Sequence, residues 1–133
     1  MMTIPKLESA WNARSGGAVA GAFTPDGVRV EYALPGARLT GRDAIATHTQ
    51  AYIDAMPDCV LEIRGVSENS QGAITVEWTF RGTHTRDLPG LPARGEDVAL
   101  DGVSVCQMEG ELIREERVYW DAATLLAGAG VLS

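Results

Sequence analysis

One stretch, residues 77–85, limits the possible folds of this chain more than any other part of its sequence. It is rich in β-branched and aromatic residues, which favour a β-strand. Because side chains alternate along a strand, Trp78, Phe80 and His84 are expected on one face. That face predicts the wall of an apolar pocket with a polar group at its rim. The following loop, residues 87–92, contains two prolines and a glycine, which predict a sharp turn.

Helical patterns come before this strand. Apolar spacing predicts a first helix over residues 7–23, with a bend where two glycines adjoin. A second helix is predicted from Thr40, as its N-cap, to about residue 55. His48 and Tyr52 lie on the apolar stripe of this second helix, where each could be a packing residue or line a cavity.

Turn and strand patterns fill the rest of the chain. A turn is expected at residues 24–27, and Pro35 with Gly36 is expected to break the chain before the second helix. Strands are predicted over residues 28–32, 60–66, 73–84, 97–108 and 112–120, and a short terminal segment over residues 122–127. Helices first and antiparallel strands later are typical of an α+β fold. A bent sheet around a helix makes a cone whose open end holds a pocket, and residues 1–133 are expected to form one such domain.

Composition excludes several classes of partner. The net charge of −7 and a sequence pI of about 4.7 disfavour nucleic acid and anionic membranes. Neither an apolar run of membrane-spanning length nor a signal-peptide pattern is present in the sequence. Cys59 and Cys106 are expected to be buried, reduced thiols of a cytoplasmic protein. No metal is expected, because the two histidines stand far apart without a cluster of carboxylates.

Several motifs together resemble one known family. They are residues 11–14, 35–36 with 41–42, 55–58, 78–85, 88–92, 110–113 and 119–121, and they extend over nearly the whole chain. These motifs are similar to those of the SnoaL-like polyketide cyclases, or ester cyclases, of the nuclear transport factor 2-like superfamily. The resemblance implies the α+β cone, a homodimer or tetramer, and an intramolecular aldol closure without metal or cofactor. The chain departs from the family at residues 86–87, 93–96 and 128–130, which leaves substrate choice and assembly open.

The resemblance also implies two catalytic residues. Asp121 matches the family's proton-removing aspartate through a Tyr-Trp-Asp motif, and His84 matches the histidine of its Gly-Thr-His motif. Asp121 would sit in an apolar surround that raises its pKa, but its position also fits the N-cap of a short helix. His84 would steady the developing enolate oxygen or orient the substrate. Contacts to the substrate are expected from Trp11, Tyr32, His48, Tyr52, Trp78, Phe80, Leu91, Glu116 and Tyr119.

The first hypothesis for function is an acid/base enzyme that cyclises or isomerises a small, largely apolar carbonyl compound. An epoxide hydrolase, a dehydratase, a ligand-binding protein without activity and a dimerisation domain with a filled pocket are the alternatives. Because the strand over residues 97–108 is apolar on both faces, we expect a homodimer packed through the outer face of the sheet.

Overall fold

The computed structural model describes residues 3–33, 36–128 and 130. Its helices are α1 (Thr3–Asn12), α2 (Gly16–Ala20), α3 (Arg42–Ala55) and α4 (Ala122–Gly128). Its strands are β1 (Phe23–Glu31), β2 (Ala37–Thr40), β3 (Val60–Glu68), β4 (Ile74–His84), β5 (Glu96–Glu109) and β6 (Leu112–Trp120). The expected chain break at Pro35 lies outside the described residues, whereas β2, which follows it, was not predicted.

The six strands form one sheet in the order β2-β1-β6-β5-β4-β3. Neighbouring strands are antiparallel except β1 and β6, which run parallel. Register shifts interrupt the β1–β6, β3–β4 and β5–β6 pairings, and bulges of this kind increase the local twist of a sheet. Helices α1 and α3 pack against strands β3 and β1, which confirms the predicted α+β class.

The bend expected in the first predicted helix is a break between two helices, and a strand follows them. Arg14 adopts a left-handed φ of 58° between α1 and α2, and Ser15 caps α2 by accepting a hydrogen bond from the amide of Ala18. Phe23 already begins β1, so the helix prediction was too long at its end. The prediction relied on apolar spacing, which continues across the break because both helices bury residues in the same core.

Two predicted chain features near β1 and α3 were also wrong. Residues 24–27 belong to β1, where the register shifts between Phe23 and Val28, rather than forming a free turn. Thr40 ends β2 and does not cap α3; the N-cap is Gly41, whose φ of 90° suits glycine and not threonine. The predicted end of the helix at Ala55 is confirmed.

Two apolar clusters make up the core, and both contact the indoles of Trp11 and Trp78. One cluster lies under α4 and the loop before β5, and the other lies under α1 and α2. The two free cysteines, Cys59 and Cys106, are both buried, as predicted. Among the helices of the described residues, none is long and apolar enough to cross a membrane.

Side chains of α1 form hydrogen bonds with backbone groups at the outer edge of β3. Asn12 both accepts from the amide and donates to the carbonyl of Leu61, at 2.8 and 3.0 Å. One turn earlier, Glu8 accepts from the amide of Ile63 at 2.7 Å. These bonds occupy backbone groups that an edge strand would otherwise leave free. They also hold α1, and with it Trp11, over the inner face of the sheet.

Candidate active site

A partly open cavity lies between α1, α3 and the inner face of the sheet. Its volume is about 80 Å³. Most of its wall is apolar, and its polar groups are carried by β1, α3, β5 and β6. The lining residues are Leu7, Trp11, Arg29, Glu31, His48, Tyr52, Leu61, Ile63, Val76, Trp78, Phe80, Leu100, Ser104, Glu116, Val118 and Trp120.

The charged residues of β1 point into the protein rather than toward water. Arg29 and Glu31 are only 3% and 4% exposed, whereas the alternate residues Val28 and Val30 are half-buried on the outer face. Burial of a charge is costly unless it is paired and hydrogen-bonded. Both charged side chains must therefore find partners inside, and their contacts build the polar part of the cavity.

Glu31 accepts hydrogen bonds from three side chains. Its Oε1 accepts from the Tyr52 hydroxyl at 3.0 Å and from the Trp120 indole at 2.8 Å. Its Oε2 lies 2.7 Å from Nε2 of His48. Burial raises the pKa of this carboxyl, but the three donors, His48 foremost, together hold the pKa below its ordinary value. Glu31 is therefore the fixed anion of the cavity.

Tyr52 stays protonated beside that anion. Burial, the negative charge of Glu31 and the hydrogen bond between them all raise the pKa of the phenol far above its usual range. The rings of His48 and Tyr52 meet edge to face with centroids 5.3 Å apart, and those of Tyr52 and Trp120 do so at 6.3 Å. These ring contacts hold His48, Tyr52 and Trp120 in the orientations in which they donate to Glu31.

Arg29 contacts one carboxylate of the cavity, Glu116, directly and the other, Glu31, through His48. Its Nε lies 2.9 Å from Oε1 of Glu116, and its Nη1 donates to the Thr49 hydroxyl at 2.6 Å. The same Nη1 lies 3.4 Å from Nδ1 of His48. Among the described residues, no hydrogen-bond acceptor is assigned to the other terminal nitrogen, Nη2. The guanidinium also lies over the ring of Trp11, 5.9 Å from its centroid.

These contacts assign one tautomer to His48. Arginine has donors only, so its approach to Nδ1 requires that this nitrogen carry a lone pair. The proton of neutral His48 is then on Nε2, where it is donated to Glu31. With Arg29 positive and two carboxylates negative, the cluster carries a net charge of −1, and a proton taken up at Nδ1 would neutralise it. An imidazole that donates to a carboxylate through one nitrogen and has a lone pair on the other can act as a general base once a substrate replaces the weak contact of Arg29.

Asp121 lies outside the cavity. Its carboxylate is exposed and accepts hydrogen bonds from the amide and the hydroxyl of Thr124 in the first turn of α4. Those bonds lower the pKa of Asp121, so the expected apolar surround and raised pKa were wrong. The alternative, a helix cap, is the geometry that the structure contains. A catalytic role for Asp121 stays an untested prediction.

His84 is buried but does not line the cavity. It is 1% exposed at the end of β4, and its Nε2 has no hydrogen-bond partner among the described residues. The predicted face of β4 is right, because Trp78 and Phe80 on that face do line the cavity. His84 lies farther along the same face, beyond the backbone of Gly82, which approaches Met56 and Asp58. Its role as a partner in catalysis is likewise untested.

The other predicted substrate contacts divide into two groups. Trp11, His48, Tyr52, Trp78, Phe80 and Glu116 line the cavity. Tyr32 and Tyr119 instead stack on each other at a centroid distance of 4.7 Å, with 55% and 44% exposed. Leu91 is buried in the core, where its backbone pairs with Leu88. Contact with a substrate stays a prediction for all of them.

The sequence analysis missed Arg29, Glu31, Thr49, Ser104 and Trp120. The first two alternate with valines in β1, a pattern that also fits a strand with its charges in water. One signal could have indicated their burial: a strand with valines on one face and opposite charges on the other also suits an interior ion pair. Among the described residues, no group of three or more His, Cys, Asp or Glu side chains is placed to hold a metal ion.

One known family matches nearly the whole chain. The sequence profile of the family described as SnoaL-like polyketide cyclase matches residues 2–128. No curated protein matches the chain. Similar folds are frequent among solved structures, and each comparison below covers nearly all of this chain.

Three solved structures illustrate the likeness. A hypothetical protein of ketosteroid isomerase-like fold from Catenulispora acidiphila, in complex with trimethylamine, is 22% identical with a TM-score of 0.80, over 98% of this chain and 93% of that one. IdmH from Streptomyces antibioticus, a provisionally assigned polyketide cyclase, is 21% identical with a TM-score of 0.78, over 97% and 96%. The phenazine biosynthesis-related protein PhzB2 from Pseudomonas aeruginosa is 18% identical with a TM-score of 0.80, over 99% and 85%. At these identities the likeness establishes the cone-shaped, ketosteroid isomerase-like fold alone.

Proposed function

The chain belongs to the SnoaL-like polyketide cyclase family, and we propose that it is a cofactor-independent acid/base enzyme that cyclises or isomerises a small, largely apolar carbonyl compound. The observation that carries this proposal is the Glu31–His48 pair in the wall of an apolar cavity, with Nε2 and Oε2 at 2.7 Å. The family supports the class of reaction, and the geometry supports a base other than the motif aspartate.

In the proposed reaction, Nδ1 of His48 removes a proton from the carbon next to the substrate carbonyl. Glu31 holds the opposite nitrogen and stabilises the imidazolium that forms. The substrate replaces the weak 3.4 Å contact between Nη1 of Arg29 and Nδ1 of His48, so the guanidinium then lies beside the substrate. A positioned general base contributes about 10²–10⁴ in rate.

The electrons of the broken C–H bond move onto the carbonyl oxygen as an enolate. The Nη2 of Arg29, which has no acceptor among the described residues, is the proposed donor to that oxygen. In an aldol closure, the enolate carbon attacks a second carbonyl of the same molecule, and the proton returns from His48 to the new alkoxide. In an isomerisation, the proton returns to a different carbon. Both outcomes balance without an added reagent.

The test measures proton removal without knowing the natural substrate. The α-protons of 2-tetralone, a two-ring enolisable ketone, exchange with deuterium when the enolate forms in D₂O, and proton NMR follows their loss. We expect the wild-type protein to catalyse this exchange and His48→Gln to reduce the rate about 10²–10⁴-fold. Glutamine still donates a hydrogen bond to Glu31, so we expect the fold to be retained. Its amide does not act as a base, so we expect exchange to be lost. Thr47→Ala, at an exposed neighbour on α3, is the matched control.

The outcomes separate the main alternatives. Exchange at the wild-type rate in His48→Gln would refute His48 as the base. A wild-type protein that binds 2-tetralone without exchanging its protons would instead favour the ligand-binding alternative. The dimerisation-domain alternative with a filled pocket is opposed by the open space beside the polar cluster.

Hydrolysis of an epoxide is the second candidate. The continuous contact from Glu116 through Arg29 and His48 to Glu31 offers two carboxylates and an arginine that could position a water. Styrene oxide in H₂¹⁸O, with the diol product analysed by mass spectrometry, distinguishes the two reactions. Diol formation that depends on Glu31 and Arg29, without exchange of 2-tetralone, would favour this rival.

We also propose a homodimer formed through the outer face of the sheet. Val103 and Val105 are half-buried on that face, opposite the buried Leu100 and Cys106 of the same strand, and the exposed Tyr119 lies in the neighbouring strand. An apolar outer face is stabilised by being covered. Sedimentation should give twice the mass of 14.1 kDa at micromolar concentration, and a single-chain mass would contradict the dimer.

A cytoplasmic location is proposed from the thiols. Cys59 and Cys106 are buried and unpaired, and burial raises the pKa of both, which keeps them protonated and inert. Such thiols suit a reducing compartment. Fractionation of the source cells that recovers the protein outside the cytoplasm would contradict this.

A further inference from the structure

The indole of Trp78 is held by two neighbours on β5 that the proposed reaction does not use. The strand register places Trp78, Gly102 and Trp120 in one row across β4, β5 and β6. Gly102 has no side chain, so the row has a gap between two indoles. The gap is filled, because the ring of Trp78 lies in it.

The distances give the orientation of that ring. A Cβ built on Gly102 would lie 2.3 Å from Cζ2, 2.4 Å from Cη2 and 2.8 Å from Cε2 of Trp78. A point in the ring plane beyond Cζ2 would be clearly farther from both neighbouring ring atoms than from Cζ2 itself. The similar distances therefore put the point over the ring face. The indole lies face-down on the backbone of Gly102, and its opposite face is turned toward the cavity.

A hydrogen bond fixes the direction of the ring within its plane. Its Nε1 donates to the hydroxyl of Ser104 at 3.1 Å, and Ser104 is 3% exposed. The cavity wall includes Trp78 and Ser104 but not Gly102, which lines a separate, more open cleft with Trp78 and Trp120. Gly102 does not have a positive φ, so its backbone conformation does not require glycine. What requires a glycine here is the ring above it.

We propose that Gly102 and Ser104 are positioning residues that set the width of the cavity, and so select its ligands by size, by holding Trp78 flat against the sheet. The proposal rests on the proposed function in taking this cavity as the substrate site. A methyl group at position 102 overlaps the ring, so the indole must rise into the cavity. The narrowed cavity then admits a one-ring ligand more readily than a two-ring ligand.

The test compares two planar probes of different length in wild type and Gly102→Ala. The probes are phenol and 2-naphthol, whose hydroxyls resemble an enol, and calorimetry measures both dissociation constants. We expect Gly102→Ala to weaken 2-naphthol binding at least about tenfold while changing phenol binding less than about threefold. General loosening of the fold would weaken both probes together, so the ratio of the two constants reports on width.

Two further variants control this result. Gly65→Ala adds a methyl group to a strand glycine whose nearest new contact is the Glu77 carboxylate at 3.6 Å, and it should bind both probes as wild type does. The double substitution Gly102→Ala/Trp78→Phe replaces the indole with a smaller ring and should restore 2-naphthol binding. If Gly102→Ala alone fails to fold, the double variant carries the test, and its failure to fold or to bind 2-naphthol overturns the proposal.

The remaining outcomes also decide the question. Equal binding of 2-naphthol by wild type and Gly102→Ala overturns the proposal, and so does parallel weakening of both probes. Binding of neither probe by wild type overturns it as well, because the space above Trp78 is then no ligand site. The catalytic proposal fails separately: His48→Gln should lose exchange of 2-tetralone and keep the size preference.

Discussion

Glu31 and Asp121 are carboxylates at the ends of two neighbouring parallel strands, yet the chain gives them opposite surroundings. Glu31 ends β1, is 4% exposed and receives three hydrogen bonds from side chains. Asp121 follows β6, is exposed and is bonded to Thr124 at the start of α4. The difference is one of side-chain direction, because successive residues of an extended chain point to opposite sides.

Trp120 shows how close the two positions are. It directly precedes Asp121, yet its indole donates to Glu31 inside the cavity. The aromatic residue beside the motif aspartate therefore donates its hydrogen bond to the other carboxylate, Glu31. The comparison teaches that a sequence motif locates a position in the fold but does not decide which nearby acid faces the cavity.

The largest effect on stability is expected for Glu31→Ala. The substitution leaves the buried donors of Tyr52, Trp120 and His48 without their acceptor. Removal of one member of such a buried polar cluster costs about 3–5 kcal/mol in the free energy of unfolding. Urea unfolding at pH 7 measures the loss. A loss below about 1 kcal/mol would mean that the cluster is not formed in solution.

The adjacent residues Glu115 and Glu116 sharpen the comparison between inside and outside. Glu116→Gln removes the charge that pairs with buried Arg29, and should cost about 1–3 kcal/mol in the free energy of unfolding. Glu115→Gln removes a charge that pairs with Arg117 at a similar distance, but with both side chains about 30% exposed, and should cost about 0–1 kcal/mol. Equal losses in urea unfolding would contradict the assigned burial of the Arg29–Glu116 pair.

Acid should remove part of the stability that Glu31 supplies. The folded state holds the pKa of Glu31 below its ordinary value of 4.5, so the contribution is complete above that value. It is then lost as the pH falls below 4.5 and through the depressed pKa. Wild type should therefore lose more stability than Glu31→Gln between pH 7 and acid pH. Parallel pH profiles in urea unfolding would contradict the depressed pKa.

The smallest effect is expected at Asp121. Asparagine caps helices as well as aspartate does, so Asp121→Asn should leave the melting temperature nearly unchanged. Asp121→Ala should lower it slightly, because the amide and hydroxyl of Thr124 lose their acceptor. Circular dichroism on heating measures both. A large fall in melting temperature for Asp121→Asn would show that this carboxylate has a further buried partner.

The sequence predicted the architecture better than the site. The extents of β4, β5 and β6 could be predicted closely, because long alternating runs bounded by turns leave few alternatives. The spacing of Trp78 and Phe80 grouped these residues on one face of β4 but left open whether that face is the inner one. The bend between α1 and α2 was expected from the adjoining glycines. The left-handed conformation of Arg14 and the bulge in β1 were not predictable, since neither leaves a hydrophobic period.

The polar part of the site could be predicted only in pieces. His48, Tyr52 and Glu116 were identified individually, but their common partners Arg29 and Glu31 were not. Strand periodicity gives two faces without saying which is inside, and here the valines of β1 face outward. Only the pairing of β1 beside β6 brings Arg29 next to Glu116, and that parallel pairing joins residues far apart in sequence. Hydrogen bonding across such distances is set by tertiary structure and not by local pattern.

The central claim is that the proton acceptor belongs to the cavity pair and not to the motif aspartate. Deuterium exchange of 2-tetralone, measured side by side for Glu31→Gln and Asp121→Asn, tests it most directly. Glu31→Gln removes the charge that stabilises the His48 imidazolium and should slow exchange by about 10²–10⁴-fold, while Asp121→Asn should retain the wild-type rate. The reverse result, with Asp121→Asn inactive and Glu31→Gln unchanged, would contradict this account and return the base to Asp121.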